Sequence, residues 1–196
     1  MKKIIKDDIV YNIDGNVVHF IIDEDSRPNW SKILNQHLIL NNTNLQMKQR
    51  YNSQRTIMNK DDAHKQFVKF VSEVRGVKVD LASGPSGYFS PFLDTLDNSD
   101  IFIATDACPA VIEAHSKACN KENFYAFDVD KSLPFKDESV DIFTGNLLMN
   151  VENYSTLIQE AYRCLKKGGK LAVIEIFFEH GSKTHEHLCS KGAIWS

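Results

Sequence analysis

The feature that most constrains the fold of this chain is a change of pattern at Gly76. After Gly76, short apolar runs alternate with segments of helical periodicity, and the runs cover residues 77–81, 100–105, 123–127, 140–145 and 170–178. Parallel strands need a crossover of about a dozen residues between them, and a helix is the usual crossover. The alternation therefore predicts an α/β fold, with a doubly wound, mostly parallel sheet and helices on both of its faces.

A smaller extension is predicted before this alternation. Two apolar runs between residues 9 and 22 flank Asp14-Gly15, a dipeptide that favours the tight turn of a β-hairpin. Apolar residues within 30–58 are irregularly spaced and indicate weak helices. Residues 61–75 have the regular spacing of an amphipathic helix, which Gly76 is expected to stop.

Length and composition predict one main domain. The chain has 196 residues, of which 42% are hydrophobic and 25% charged, close to the averages of soluble globular proteins. This length has room for one full core and is too short for two catalytic domains. We therefore expect a main domain at 61–196 and a hairpin and helical extension at 1–60.

Other features are typical of a cytoplasmic protein. No apolar run approaches the length needed to cross a bilayer, and the first eight residues lack the apolar core of a signal peptide. The four cysteines are widely spaced and form no CxxC pair, which suits a reducing compartment. We expect a cytoplasmic location and no association with a membrane.

The distribution of charge argues against a nucleic-acid partner. Residues 1–76 carry 12 Lys+Arg and 9 Asp+Glu, whereas residues 77–196 carry 11 and 17. Neutralisation of phosphates supplies most of the affinity for nucleic acids and requires a basic surface. An acidic main domain therefore predicts that nucleic acid is not its partner.

The first motif with chemical meaning follows the first of the five runs. Its strand ends in an acid, Asp80, and a loop of small residues follows, Ala82-Ser83-Gly84-Pro85-Ser86-Gly87. Small side chains let the backbone approach a ligand at the carboxyl edge of a sheet. The segment resembles the first motif of class I S-adenosylmethionine-dependent methyltransferases, with Ala82 and Ser86 in place of two glycines. Because similar loops bind dinucleotides, this motif alone leaves both ligands open.

A second acid ends the next predicted strand. Asp106 follows the apolar run Ile101-Phe102-Ile103-Ala104-Thr105, and its two carboxylate oxygens suit two adjacent ribose hydroxyls. Methyltransferases and dehydrogenases both place an acid here. A helix cap before Pro109 is the alternative role.

The third segment separates the two enzyme classes. Residues 124–135 contain Asp128 and Val129 followed by Leu133-Pro134-Phe135. This resembles the methyltransferase pattern of an aspartate before Leu-Pro-Phe. The resemblance implies that Asp128 accepts from the adenine amino group and that the Val129 amide donates to the ring. Nicotinamide dehydrogenases lack this pattern.

The fourth segment concerns the fold. An amphipathic helix over 153–165, the pair Gly168-Gly169 and a strand from 170 resemble a helix, Gly-Gly, strand signature of the same family, and the glycines are expected to end the helix. Over residues 61–181 the chain is thus identified as a member of the class I, Rossmann-like methyltransferases, similar to methyltransferase-domain types 11 and 25. Because the family sheet usually has seven strands and only five fit, we expect the final strands to be missing. A homodimer would complete the shortened sheet.

The resemblance implies S-adenosylmethionine as cofactor. Three acids at one sheet edge suit this ligand, which carries a sulfonium and an ammonium but no phosphate. The expected cofactor-binding residues are Asp80, Ala82, Ser83, Gly84, Gly87, Asp106, Ala107, Asp128, Val129 and Asn146.

The methyl acceptor is predicted only as a class. Gly145-Asn146-Leu147-Leu148 lacks the Asn/Asp-Pro-Pro-Tyr motif of enzymes that methylate nucleic-acid bases, which favours a small molecule. By position, Asn146 and His180 are candidates for the catalytic group, with a loop or packing role as the alternative for each. No metal is expected, because nothing completes a tetrahedral site around the histidines and cysteine of the C-terminal segment, His180, His185, His187 and Cys189.

Methyl transfer to a small molecule is therefore the function predicted from the sequence. Two alternatives stay open: a non-catalytic module that binds S-adenosylmethionine or S-adenosylhomocysteine, and a nicotinamide-dependent oxidoreductase. Methyl transfer favours a dry pocket, so residues 1–58 are expected to form a lid, with Trp30 and Tyr51 in an aromatic wall. A packing extension on the far side of the sheet is the alternative.

Overall fold

The computed structural model describes residues 2–20, 25, 27–40, 46–119, 123–148, 151–175, 181–183 and 186. Its strands are β1 (Asn12–Asp14), β2 (Val17–His19), β3 (Val77–Leu81), β4 (Ile101–Asp106), β5 (Asn123–Ala126), β6 (Val140–Asn146) and β7 (Leu165–Ile174). Its helices are α1 (Asn29–Leu40), α2 (Met47–Met58), α3 (Asp62–Glu73), α4 (Ser90–Leu93), α5 (Pro109–Ala118) and α6 (Tyr154–Cys164), with a 3-10 turn at Lys2–Ile4.

All seven strands form one sheet in the order β1-β2-β5-β4-β3-β6-β7. Every neighbouring pair is parallel except β1 and β2. Strands β3 to β7 are the five that the sequence predicted, joined by crossovers that contain helices. The predicted α/β fold is confirmed, and the carboxyl ends of β3 to β7 all lie at the same edge.

The predicted N-terminal hairpin is confirmed, and it extends this same sheet. Strand β2 pairs with β5, with Val18 opposite Tyr125, and the Phe20 amide donates to the Ala126 carbonyl at 3.0 Å. Ile5 forms a further bridge with Phe135. The hairpin joins the sheet because Val17 and Val18 bury their side chains there, one in each core.

Two apolar cores lie on the two faces of the sheet. Alternate strand residues point to opposite faces, so that Val79 and Ile103 pack with α6. Phe102 and Ala104 pack on the other face with helices α2 to α5. Within the described part of the chain, no helix is long and apolar enough to cross a membrane.

Helix α3 begins and ends close to the predicted bounds. Asp61 caps it by accepting from the His64 amide. The helix ends at Glu73, before Gly76 rather than at it. Gly76 has φ +107, and a Cβ there would collide with the carboxylate of Asp141, which also accepts from the Val77 amide. Gly76 is needed for this close approach at the amino end of β3.

The predicted bounds of α6, 153–165, are close to the observed Tyr154–Cys164, but the expectation that the glycine pair ends the helix is wrong. The helix ends at Cys164 and β7 begins at Leu165, so Gly168 and Gly169 lie inside the strand. Leu165 pairs with Val140, and the register then shifts before the regular ladder with β6 resumes. The glycines allow this irregularity, since Gly168 has φ +81.

Candidate functional site

Asp80 links the carboxyl end of β3 to its neighbours through two hydrogen bonds. One carboxylate oxygen accepts from the hydroxyl of Thr144 on β6 and the other from the hydroxyl of Ser83, both at 2.7 Å. The carboxylate is buried, and this burial, helped by the nearby charge of Asp106, raises the pKa of Asp80 to about 6. Asp80 therefore holds the loop after β3 against β6.

Asp106 binds the same loop from β4. Its two carboxylate oxygens accept from the amides of Gly84 at 3.0 Å and Cys108 at 2.7 Å. The residue is only 3% exposed, and burial raises its pKa to about 6. The N-cap of α5 is Cys108, so the alternative role of Asp106 as that cap is not observed.

The loop between β3 and α4 has a strained backbone. Ala82, Gly84 and Gly87 have φ values of +48, +60 and +67. The left-handed region suits glycine but is costly for alanine. Hydrogen bonds to Thr105 hold the loop in this conformation: its hydroxyl accepts from the Ala82 amide at 3.2 Å and its carbonyl from the Ser83 amide at 2.6 Å.

A hydrogen-bond chain that the sequence analysis missed supports the loop from α2 and α5. The Nε2 atom of His115 lies 2.8 Å from the Gly84 carbonyl, and its Nδ1 atom lies 2.7 Å from the Tyr51 hydroxyl. Burial lowers the pKa of His115 to about 4, so the ring is neutral. Because a carbonyl only accepts, Nε2 carries the proton and Tyr51 donates to Nδ1. The available signal was a histidine on the apolar face of α5, beside Val111 and Ile112.

Tyr51 also fixes how closely α2 approaches the loop. A Cβ at Gly87 would lie 2.6 Å from the Tyr51 ring. Tyr51 is buried against Phe89 and His115, so it is a core residue and not part of an aromatic wall.

Asp128 and Val129 follow β5, which pairs with β4 on the side away from β3. Asp128 is 8% exposed, accepts from the Asp130 amide at 3.0 Å and lies 3.9 Å from the Lys131 ammonium. Burial raises its pKa. Val129 is buried beside it. The strand order thus brings the ends of β5, β4 and β3 together with one acid each.

The remaining predicted residues lie near the ends of β4 and β6. Ala107 is buried, and its carbonyl accepts from the Ser31 hydroxyl of α1 at 2.7 Å. Asn146 ends β6, and its Nδ2 atom is buried without a hydrogen-bond partner among the described residues. His180 lies outside the described residues, as do the other members of the C-terminal pattern, His185, His187 and Cys189.

Glu175 is a second residue of this edge that the sequence analysis missed. It directly follows β7, and its Oε1 atom accepts from the Leu148 amide at 2.6 Å. Burial raises its pKa. The prediction placed Glu175 inside the run 170–178, so no strand end marked it as a site residue in the way that it marked Asp80 and Asp106.

The chemistry of the edge suits a cationic ligand. Among the described residues, no lysine or arginine pairs with Asp80 or Asp106, although both carboxylates are buried. Buried carboxylates without a cation are stabilised by a positive ligand and repel a phosphate.

A depression of about 450 Å³ on the exposed face of α2 offers no charged group; it is lined by Gln49, Asn52, Ser53, Thr56 and Ile57.

Comparisons with known proteins agree with this geometry. Residues 79–173 match the family described as methyltransferase domain. No curated protein sequence matches the chain significantly. Among solved structures, the candidate methyltransferase of Haloferax volcanii in complex with the Trm112 activator is similar, at 22% identity and a TM-score of 0.54, over 67% of this chain and 60% of that one.

Two further structures resemble the chain. A SAM dependent methyltransferase from Aquifex aeolicus is 15% identical, with a TM-score of 0.52 over 67% of this chain and 78% of that one. A candidate methyltransferase from Bacillus halodurans is 19% identical, with a TM-score of 0.50 over 63% of this chain and 55% of that one. The chain thus spans less than two thirds of the Haloferax and Bacillus proteins.

At these identities the structural likeness establishes the fold, and the sequence match over residues 79–173 agrees with it. The resemblance found in the motifs at Asp80, Asp106 and Asp128 is confirmed, because all three lie in the matched segment. Over residues 79–173 the chain thus matches the methyltransferase domain family, and it has the class I, Rossmann-like fold.

Proposed function

We propose that this protein binds S-adenosylmethionine at the carboxyl edge of β3, β4 and β5 and transfers its methyl group to a small-molecule acceptor. One observation carries the proposal: Asp80 and Asp106 are buried at neighbouring strand ends without a paired lysine or arginine among the described residues. A sulfonium or ammonium would supply the missing positive charge.

Seven of the ten predicted residues then have a direct role toward the cofactor. Asp106 would hold the ribose hydroxyls, since each of its oxygens keeps a lone pair beyond the amide it accepts. Asp128 and the Val129 amide would hold the adenine. Ala82, Ser83, Gly84 and Gly87 would let the backbone lie close to the methionine part.

The bound cofactor supplies a methyl carbon that is activated by the sulfonium charge. The protein then needs only to orient the acceptor in line with that carbon and to exclude water. No metal is required for this reaction.

The N-terminal helices are proposed as the cover of the site. Ser31 of α1 reaches Ala107, and Asn35 accepts from the Ala110 amide at 3.0 Å, so α1 contacts the segment that follows β4. Tyr51 of α2 reaches the loop after β3. These contacts support a lid formed by α1 and α2 rather than by all of residues 1–58, because β1 and β2 of that segment belong to the sheet. The division at residue 60 stays a prediction.

A homodimer that completes the sheet also stays a prediction. Strand β7 is the last strand of the sheet in the described ranges, and apolar side chains beside it are exposed: Ile158, Tyr162, Leu171 and Val173. The Haloferax protein was solved with an activator, so a different partner chain is the alternative. The cytoplasmic location likewise rests on the sequence.

Calorimetric titration tests the proposed function. The protein should bind S-adenosylmethionine and S-adenosylhomocysteine and should not bind NAD. Tight binding of NAD with no heat from either adenosyl ligand would overturn the proposal in favour of an oxidoreductase. Binding of both adenosyl ligands without transfer of a radiolabelled methyl group to any small molecule of a cell extract would favour the non-catalytic module.

A further inference from the structure

The strand order divides the carboxyl edge into two halves. The ends of β5, β4 and β3 form one half, which holds the three acids of the proposed cofactor site. The ends of β6 and β7 form the other half, and the residues there are Asn146 and Glu175. The two are neighbours, since Asn146 pairs with Ile174, the residue before Glu175.

The loop after β6 folds back onto the end of β7. The Leu147 amide donates to the Ile174 carbonyl at 3.0 Å, and the Leu148 amide donates to the Glu175 carboxylate at 2.6 Å. The Tyr154 hydroxyl donates to the Leu148 carbonyl at 2.7 Å. A Cβ at Gly145 would lie 2.9 Å from the Leu148 side chain, so this return requires a residue without one.

Two features at this end of β6 lower the stability of the fold. Leu147 has φ +56, a left-handed conformation that is costly for leucine. The buried Nδ2 atom of Asn146 has no hydrogen-bond partner in the part of the chain that the structure describes. Strained backbone and unsatisfied buried polar atoms concentrate at functional sites, where surrounding contacts hold them in place. Here those contacts are the hydrogen bonds to Ile174 and Glu175.

We propose that Glu175 is the group that removes the proton from the methyl acceptor at this half of the edge, with Asn146 beside it. The proposal rests on the proposed function, because it assumes a methyl donor on the neighbouring half. It assigns the acceptor a class: a small molecule whose reacting oxygen or nitrogen carries a proton, as in a hydroxyl or an amine.

The proposed step is balanced without a further reactant. A lone pair of the acceptor atom forms the bond to the methyl carbon while the bond from that carbon to sulfur breaks, and its electron pair stays on sulfur. The sulfonium becomes a neutral thioether. The proton leaves the acceptor atom for Oε2 of Glu175, while Oε1 keeps its hydrogen bond from the Leu148 amide.

Glu175 suits this role better than Asp80 and Asp106. Both oxygens of Asp80 accept from hydroxyls, and both oxygens of Asp106 accept from amides. Partial burial also raises the pKa of Glu175, which makes its carboxylate a stronger base.

Sinefungin is the probe for this proposal, because it is an analogue of S-adenosylmethionine with an ammonium in place of the sulfonium methyl. That ammonium would face Glu175. Glu175→Gln keeps an oxygen for the Leu148 amide and removes only the charge. We expect Glu175→Gln to weaken sinefungin binding roughly tenfold or more, and S-adenosylhomocysteine binding less than twofold.

Glu113→Gln is the matched control, since Glu113 has an exposed carboxylate on α5, and it should leave both affinities unchanged. Unchanged sinefungin binding in Glu175→Gln would overturn the proposal. Equal weakening of both ligands would also overturn it and would assign Glu175 a role in loop structure. If the unaltered protein bound neither ligand, the proposed function itself would fail, a result distinct from both.

Discussion

The hydroxyl of Tyr51 donates a 2.7 Å hydrogen bond to Nδ1 of His115, and through this contact helix α2 supports the loop after β3. The opposite ring nitrogen of His115 donates to the Gly84 carbonyl at 2.8 Å. The aromatic rings of Tyr51 and His115 are stacked, with an interplanar angle of 8°. A residue of the N-terminal extension thus helps to set the backbone of the proposed cofactor site.

Tyr51→Phe tests this contact. The substitution keeps the ring and leaves the buried Nδ1 atom of His115 without a donor, so it should lower the free energy of unfolding by about 1–3 kcal/mol. Urea unfolding measures the change. Tyr162→Phe is the matched control, because Tyr162 is 82% exposed, and it should have no effect. Equal stability of the two variants would show that the buried hydroxyl contributes nothing.

Ala82→Gly tests the strain in the loop. A left-handed alanine costs about 1 kcal/mol, and glycine costs a similar amount through the entropy of the unfolded chain. We therefore expect a change of less than about 0.5 kcal/mol in the free energy of unfolding. Ala114→Gly is the comparison, because Ala114 lies in the middle of α5, and there the free energy of unfolding should fall by about 1 kcal/mol. If both variants lost the same free energy, Ala82 would not be strained in solution.

Asp80→Asn tests the burial of that carboxylate through pH. The folded pKa of about 6 lies above the unfolded value near 3.8, so the stability that Asp80 contributes is full below pH 4 and is lost as pH rises through 6. At pH 8 the free energy of unfolding of the variant should exceed that of the unaltered protein by on the order of 1–3 kcal/mol. The difference should vanish near pH 4. Urea unfolding between pH 4 and 8 measures both, and a constant difference would contradict the raised pKa.

The fold and the three acids could be predicted because their signals are local. Each acid lies at the end of an apolar run, and parallel strands place their ends at one edge. The convergence of Asp80, Asp106 and Asp128 is therefore predictable without any knowledge of long-range contacts. The contact between Tyr51 and His115 joins residues 64 positions apart, and no local pattern records it. The glycine pair Gly168-Gly169 was predicted to end α6, but the helix gives way to β7 before that pair, where Leu165 pairs with Val140 of β6.

Hydrogen exchange tests the proposed lid. Helix α1 contacts Ala107 and α2 contacts the loop after β3, so binding of S-adenosylhomocysteine should slow exchange within residues 30–58. Exchange is compared with and without the ligand. Protection confined to residues 80–87 and to the segments around Asp106 and Asp128 would contradict the lid and leave the methyltransferase proposal intact.

The most direct test of the central claim is the affinity of the protein and its Asp106→Ala variant for S-adenosylhomocysteine, measured by calorimetry. Loss of a charged acceptor should weaken binding roughly ten- to hundredfold. Asp97→Ala is the matched control, because Asp97 is an exposed residue near Arg75 and Asp100, at the opposite edge of the sheet. This variant should bind S-adenosylhomocysteine as tightly as the unaltered protein. Circular dichroism confirms that each variant is folded. Binding that is equally tight in folded Asp106→Ala would contradict the claim that this edge holds the cofactor.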